Sequence, residues 1–592
     1  MAAARARSSL QATVAAPTPN ARASHGRPSA AVARRRRIAA AGSLVAAFFV
    51  IMIIVVASGG GPDSRRAVVD AYAAGWAKGD WAQMHAQLSP AAKSRVPLLE
   101  FARAHRGALA IASAGARGVQ LTGEPQAQGD TWLLPVAIRT RLFGTVRGSV
   151  VLPIEDTPNG PRIAWQPHLV FPGLRPGEEL ERRTRLLARG TLLARDATVL
   201  AQGADRSSPV PDVAGQVVGR LGPIPPEDQV RATSLGVPAD ASVGVSGLER
   251  LFDAQLTGIP AGTLIAGGRT IVRSVGRPGA TVKTTISPPV ERAAIAALAG
   301  RYGGAVALDP RTGAVLAYAG AAFSLVQPPG STFKIITAAA ALQARTATPT
   351  SSYAFATAAD VRGTPIANAA GELCGGTLVQ AFAASCNSVF APLGIELGAR
   401  RMVAAAEAFG FNRPPALPIA ATSRFPAAAL TDDLAVGSAS IGQGQVEATT
   451  LQMAETAGII ARRGVRAPLT LSYDREQRAR GRRGRRVIPE RVARQIERMM
   501  LAVVRSGTGY AAALPRVSVA GKTGTAELRS RKAGDTTVNP EDTDAWFVAF
   551  APAGGRTKPR IVVGVLLGNA GASKDTAAPA ARLILQAGLR RD

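Results

Sequence analysis

Near the middle of the chain, a Pro-Pro-Gly segment that no regular helix or strand can include is followed by a run of helix-forming residues. This run carries a serine and a lysine one helical turn apart. Pro328-Pro329-Gly330 interrupts any regular element, and an alanine-rich run of helix formers begins at Ser331. Ser331 and Lys334 are three residues apart, so on a helix their side chains lie on one face. A helix N-terminus stabilises negative charge developing on the serine oxygen, and a lysine whose pKa is lowered by burial or by neighbouring groups can accept its proton. The stretch predicts a nucleophile and its general base.

Two further motifs follow in order, and together the three indicate a family. Ser385-Cys386-Asn387 comes first, and Lys522-Thr523-Gly524-Thr525 follows it. S-x-x-K, S-D-N and K-T-G are the motif set of penicillin-binding proteins and class A β-lactamases, and here cysteine replaces the aspartate of the second motif. After its first 60 residues the chain resembles the class B penicillin-binding proteins, which are peptidoglycan D,D-transpeptidases.

The resemblance implies a site and a substrate. It assigns catalytic roles to Ser331, Lys334, Ser385, Asn387 and Lys522, and substrate binding to Thr523, Gly524 and Thr525. Ser331 would attack the penultimate carbonyl of a stem peptide ending in D-alanyl-D-alanine, and β-lactams would acylate the same serine. We expect Lys334 to be kept partly neutral by the positive charge of Lys522.

Histidine and cysteine usage excludes other chemistries. All four histidines precede residue 170, which excludes a Ser-His-Asp triad or an H-E-x-x-H zinc site in the catalytic region. Two cysteines are too few for a zinc cluster, so we expect no metal and no cofactor. Cys374 and Cys386 lie close in sequence, and outside the cytoplasm they would form a disulfide.

The N-terminal residues predict a membrane anchor. Residues 1–37 hold eight arginines and no acidic residue, which is typical of a disordered cytoplasmic tail. Residues 38–58 are uncharged and long enough for about 30 Å of helix, enough to span a bilayer. The positive flank should stay cytoplasmic, which places the catalytic region outside the bacterial cell membrane as part of a single-pass protein.

The remaining chain predicts a multidomain fold. Residues 64–170 suggest a small α+β domain that looks like the NTF2-like module of some penicillin-binding proteins. Residues 175–290 carry Gly244–Asp253, which resembles a family element, and suggest an elongated pedestal or dimerisation-type domain. Residues 291–592 predict an α/β, β-lactamase-like transpeptidase domain, with strands from both ends joined in one sheet around a helical lobe.

The net charge of +30 does not by itself indicate nucleic-acid binding. The excess is scattered apart from the tail and Arg475–Arg486, and no base-reading fold signature accompanies it. We expect stem peptides and β-lactams as ligands and, by the resemblance, a membrane glycan polymerase as partner.

Three alternatives share the motifs. A D,D-carboxypeptidase would use water in place of the acceptor amine. A class D-like serine β-lactamase also uses Ser-Thr-Phe-Lys, but generally has an apolar residue where Asn387 stands. A β-lactam sensor would need cytoplasmic signalling machinery. The sequence leaves open the third stem residue, the oligomeric state, the role of the NTF2-like module, and whether the enzyme serves elongation, division or sporulation.

Overall fold

The structure is a computed structural model that describes residues 62–479, 484–527, 542–555 and 557–590. The predicted tail (1–37) and membrane helix (38–58) lie outside these ranges. Within them, no helix combines the length and apolar character needed to cross a bilayer.

Two compact units make up the described chain. One contains the described residues up to Ala102 with Leu121–Pro135 and Ser149–Leu169, and the other contains Arg103–Gln120, Val136–Gly148 and everything from Val170 onward. The last division, between Leu169 and Val170, lies at the boundary near residue 170 expected from the sequence, whereas Arg103–Gln120 and Val136–Gly148 fall in the second unit.

The region from 62 to 170 has the helices-then-sheet order that the sequence predicts. Its helices are Pro62–Lys78, Trp81–Ala86, Pro90–Arg95 and Leu98–Ile111, and its strands are Ala114–Leu121, Gln126–Gln128, Thr131–Thr140, Thr145–Thr157 and Gly160–Ile163. The sheet runs in the order Ala114–Leu121, Thr131–Thr140, Thr145–Thr157, Gly160–Ile163, and Gln126–Gln128 pairs with Thr131–Thr140.

Aromatic side chains fill the core of the first unit. Tyr72 and Trp76 lie edge to face on the first helix, and Phe101 packs against Trp165 with ring centroids 5.2 Å apart. All four are buried. They are core residues, as the helical spacing of Tyr72 and Trp76 predicts.

Short elements make up residues 175–290. The strands are Leu180–Arg185, Leu192–Leu193, Val199–Ala201, Leu221–Gly222, Val243–Gly244, Ala261–Ala266, Arg269–Ser274 and Val282–Lys283, and the α-helices are Pro211–Val217, Gln229–Ser234, Gly247–Leu251 and Asp253–Thr257. Buried Glu249 accepts hydrogen bonds from Arg189 and Arg206, and Asp253 pairs with Arg189. This network joins Arg189-Gly190 to the Gly244–Asp253 element.

One antiparallel sheet organises the catalytic region. Its strand order is Val315–Gly320, Gly303–Leu308, Ile561–Leu567, Thr543–Ala551, Ala520–Glu527. The first two strands thus pair with the last three, as the sequence predicts. Every residue of the three central strands is buried, as their Val-, Ala- and Leu-rich sequences require.

Helices cover both faces of this sheet and form the lobe between its two halves. They are Pro288–Leu298, Lys334–Ala344, Leu378–Ala383, Asn387–Phe409, Asp433–Ser440, Thr450–Ala461, Tyr473–Ala479, Glu490–Ser506 and Ala577–Arg590. Residues of the 175–290 region, including Leu192, Val213, Leu248 and Phe252, share one hydrophobic core with this lobe. Residues 175–290 therefore contribute to the hydrophobic core that supports the helical lobe.

Candidate active site

Ser331 and Lys334 meet at the start of a buried helix. Ser331 lies in a 3-10 turn, Gly330–Phe333, and Lys334 begins the helix Lys334–Ala344, which we call the nucleophile helix. Lys334 Nζ lies 3.0 Å from Ser331 Oγ. The predicted α-helix starts at Ser331, whereas the structure begins it three residues later. The pairing survives because residues i and i+3 are superposed along a 3-10 turn.

Glycines allow other backbone segments to approach the turn that carries Ser331. The Gly330 N–H donates a 2.9 Å hydrogen bond to the Gly442 carbonyl. A Cβ on Gly442 would lie 2.1 Å from the Gly330 oxygen, and one on Gly524 would lie 2.7 Å from the Pro329 oxygen. Gly442 also has φ +77°, where side chains are strained. Gly524, a predicted binding residue, therefore packs against the 3-10 turn that carries Ser331.

The second motif surrounds the lysine amine. Lys334 Nζ lies 2.7 Å from the Ser385 carbonyl oxygen, 2.6 Å from Asn387 Oδ1 and 3.4 Å from Ser385 Oγ. Asn387 also donates from Nδ2 to the Ala367 carbonyl at 2.7 Å. Ser385 has φ +64°, a conformation that costs a non-glycine residue energy and recurs at functional sites.

Lys522 reaches the same serine from the sheet. Its Nζ lies 2.8 Å from Ser385 Oγ and 3.0 Å from the Thr523 carbonyl. Burial lowers the pKa of Lys522 to about 7. Burial also holds the pKa of Lys334 well below its ordinary value, and the charge of Lys522 lowers it further. The sequence interpretation named burial or neighbouring groups in general and the charge of Lys522 in particular. Desolvation is the larger cause, because it disfavours the protonated amine directly.

A cavity of about 160 Å³ opens over these groups. It is lined by Ser331, Ala369, Ala370, Glu372, Ala384, Ser385, Asn387, Ile441, Gln443, Thr508, Thr523, Thr525, Glu527, Ala572, Ser573 and Lys574. Thr523, Thr525 and Glu527 alternate along the strand Ala520–Glu527, so their side chains share the face that lines the cavity. Of the eight predicted residues, Ser331, Ser385, Asn387, Thr523 and Thr525 line the cavity, and Lys334 and Lys522 lie beneath it.

A disulfide and a buried asparagine tie the second motif to the neighbouring loop. Cys374 and Cys386 are bonded, with Cα atoms 5.8 Å apart. Asn368 accepts from the Ser388 N–H and donates to the carbonyls of Ala356 and Glu372, each at 2.8 Å. The sequence interpretation missed Asn368, because no spacing rule links it to Ser388.

Thr508 is a second residue that the sequence interpretation missed. It follows the helix Glu490–Ser506 and lines the cavity. Its Oγ1 lies 2.6 Å from Thr523 Oγ1. The flanking glycines of Gly507-Thr508-Gly509 are the only signal of it in the sequence.

The fold and the site are those of a serine acyltransferase, and comparisons with known proteins identify the class. Residues 303–586 match the penicillin binding protein transpeptidase domain family. Peptidoglycan D,D-transpeptidase PbpA of Mycolicibacterium smegmatis is 33% identical over 420 residues, which cover 59% of this chain and 81% of that protein. The Mycobacterium tuberculosis PbpA is 32% identical over 372 residues, 53% of this chain and 73% of that protein.

Comparison with solved structures identifies the same family. The crystal structure of PBPA from Mycobacterium tuberculosis matches with a TM-score of 0.53 and 27% identity, covering 69% of this chain and all of that one. The penicillin G acyl-enzyme complex of that penicillin-binding protein matches with a TM-score of 0.52, 27% identity, 68% of this chain and all of that one. This chain belongs to the penicillin-binding proteins of the peptidoglycan D,D-transpeptidase family. It is a serine transpeptidase that cross-links peptidoglycan.

Proposed function

We propose that Ser331 is the residue that carries the acyl group, with Lys334 as its base. The observation that carries the assignment is the buried Lys334 amine 3.0 Å from Ser331 Oγ. Within the described chain, the oxygen atoms that this amine contacts belong to hydroxyl, carbonyl and amide groups. None of them carries a charge that would favour the protonated amine, so a neutral lysine is available to accept a proton.

Acylation joins the stem peptide to Ser331 and releases D-alanine. Ser331 Oγ attacks the penultimate carbonyl of the stem peptide while its proton passes to Lys334. Ser385, which lies between the two lysine amines, relays a proton to the leaving nitrogen, and D-alanine departs. The backbone N–H groups of Ser331 and Thr525 stabilise the oxyanion, and each such donor contributes roughly 3–4 kcal/mol.

Transfer of the acyl group reverses these steps, with an amine of a neighbouring stem in the place of D-alanine. This amine attacks the Ser331 ester and gives up a proton to the lysine–serine network; as the new amide bond forms and the ester bond breaks, Lys334 returns a proton to Ser331 Oγ. Asn387 holds the donor backbone. Thr523 and Thr525 hydroxyls bind the terminal carboxylate, and Lys522 adds positive charge beneath them.

The proposal extends to location and partners. The uncharged run 38–58 behind an arginine-rich tail supports a single-pass anchor in the bacterial cell membrane with the catalytic region outside it. Residues 64–170 would form the NTF2-like module, 175–290 the pedestal and 291–592 the transpeptidase domain. A membrane glycan polymerase would supply the strands that this enzyme cross-links.

Product analysis tests the reaction class. Full-length protein is incubated with a pentapeptide donor ending in D-alanyl-D-alanine and with an acceptor amine, and products are separated by mass. We expect D-alanine release together with an acceptor-bearing product, both absent in Ser331→Ala. Release of D-alanine with only the hydrolysed tetrapeptide would instead assign D,D-carboxypeptidase activity.

A further inference from the structure

Thr508 contacts the substrate-binding motif from a separate segment of the chain. Its Oγ1 lies 2.6 Å from Thr523 Oγ1, and both residues line the cavity that contains Ser331. The distance is well within the range for a hydrogen bond between two hydroxyl groups. Thr523 is buried, with 5% of its surface exposed. The direction of this hydrogen bond therefore decides whether the Thr523 hydroxyl can donate its proton to a ligand.

Each hydroxyl has one proton to donate and two lone pairs to accept. If Thr523 donates to Thr508, the Thr523 proton is used within the protein and cannot reach a carboxylate. If Thr508 donates to Thr523, the Thr523 proton stays available to the cavity. The two arrangements therefore make opposite predictions about anion binding.

The surroundings of Thr508 favour donation toward Thr523. Among the residues that the structure describes, the other acceptor within hydrogen-bond distance of the Thr508 hydroxyl is the Ala383 carbonyl, at 3.4 Å. That distance is long for an O–H···O hydrogen bond, which is usually 2.5–3.0 Å. The same carbonyl already accepts the Thr508 backbone N–H at 3.2 Å.

That backbone bond also fixes where Thr508 lies. Ala383 ends the helix Leu378–Ala383, two residues before Ser385, so the N–H of Thr508 holds it beside the second motif. Gly507 makes the approach possible, because a Cβ there would lie 2.4 Å from the Ala383 oxygen. Thr508 is thus held between the second motif and the strand that carries Thr523.

We propose that Thr508 is a positioning residue for carboxylate recognition, whose hydroxyl donates to Thr523 Oγ1 and directs the Thr523 proton toward the substrate's terminal carboxylate. The inference rests on the proposed role of Thr523 and Thr525. An anion strengthens such a chain of hydrogen bonds, because each polarised hydroxyl becomes a better donor to the next. The substrates concerned are acyl donors with a free carboxylate, which both the stem peptide and penicillins possess.

The test compares acylation by benzylpenicillin and by its methyl ester, which lacks the negative charge. Second-order acylation rate constants are measured on full-length wild type, Thr508→Val, Thr508→Ala and Thr508→Ser. For Thr508→Val and Thr508→Ala we expect benzylpenicillin acylation to fall about 2- to 10-fold, the range for loss of one hydrogen bond between neutral groups. The slower acylation by the ester should hardly change, and Thr508→Ser should acylate like wild type. Thermal unfolding checks that each variant is folded.

Other outcomes would overturn either the proposed role of Thr508 or the carboxylate site at Thr523 and Thr525. Benzylpenicillin acylation that is unchanged or faster in Thr508→Val and Thr508→Ala would overturn the proposed direction of the hydrogen bond. Equal losses for acid and ester would show that Thr508 only maintains the site's structure, which also overturns it. A wild type that does not prefer the acid over the ester would instead refute the carboxylate site at Thr523 and Thr525, on which the inference rests.

Discussion

Lys522 Nζ lies 2.8 Å from Ser385 Oγ, and Lys334 Nζ lies 3.4 Å from the same oxygen. One hydroxyl therefore lies between two buried amines, one on the sheet and one on the nucleophile helix. Their mutual repulsion, added to burial, favours the neutral form of Lys334. We propose that this arrangement lets Lys334 act as general base in a region of the chain without histidine.

The pH dependence of acylation should change with residue 522. The neutral fraction of Lys334 grows as the pH rises through its pKa, so acylation has an acidic limb. Lys522→Ala removes a positive charge that lowers this pKa, so the limb should move to higher pH. Lys522→Arg keeps a permanent charge and serves as the matched control. Stopped-flow acylation across pH measures the limb, and an unmoved limb in Lys522→Ala would contradict the proposed coupling.

Loss of the Asn368 side chain should weaken both the fold and the second motif. Asn368→Ala leaves the Ser388 N–H and two carbonyls without their partner, and each buried unsatisfied group costs roughly 1–3 kcal/mol. We expect a lower melting temperature and slower acylation of the protein that remains folded. Asn368→Asp keeps the acceptor for Ser388 but turns an oxygen toward the carbonyls, so it should not restore stability. Wild-type melting in both variants would contradict this account.

The Cys374–Cys386 disulfide should stabilise the loop that holds Ser385 and Asn387. Closing a loop between cysteines 12 positions apart stabilises by roughly 3 kcal/mol in the chain-entropy account. We expect reduction to lower the unfolding temperature and slow acylation, while a Cys374→Ser, Cys386→Ser double variant should become insensitive to reductant. Alkylation of two thiols in unreduced, denatured protein would show that the bond is absent.

The penicilloyl adduct should persist for many minutes to hours. Turnover at about 10 s⁻¹ requires an activated water, and an hour-long adduct corresponds to a barrier roughly 6 kcal/mol higher. The catalytic region has no histidine to activate that water. Glu372 and Glu527 line the cavity, so Glu372→Gln and Glu527→Gln show whether either carboxylate shortens the lifetime. Seconds-scale hydrolysis of nitrocefin without an accumulating adduct would instead place the enzyme's activity with the β-lactamases.

The sequence indicated motif residues that the structure brings together, but it did not indicate how deeply they are buried or which distant residues contact them. The Ser331–Lys334 pairing followed from helical spacing, and the joining of strands from both ends of the catalytic region in one sheet followed from the strand patterns on either side of the helical lobe. The sequence interpretation named burial and the charge of Lys522 as causes of the low Lys334 pKa but did not rank burial first, because burial is a property of the packed lobe and leaves no mark in a short motif. Asn368 and Thr508 were missed for a related reason. Each contacts the site across a long sequence separation, and asparagine and threonine are common in ordinary loops.

Mapping the site of penicillin attachment tests the central claim most directly. Wild type, Ser331→Ala and Lys334→Ala are incubated with labelled benzylpenicillin, digested and examined by mass spectrometry. We expect the adduct on the peptide that contains Ser331, no adduct in Ser331→Ala, and acylation slowed by roughly 10²–10⁴-fold in Lys334→Ala. Undiminished labelling of a folded Ser331→Ala protein would contradict the assignment of the nucleophile and, with it, the mechanism proposed for this enzyme.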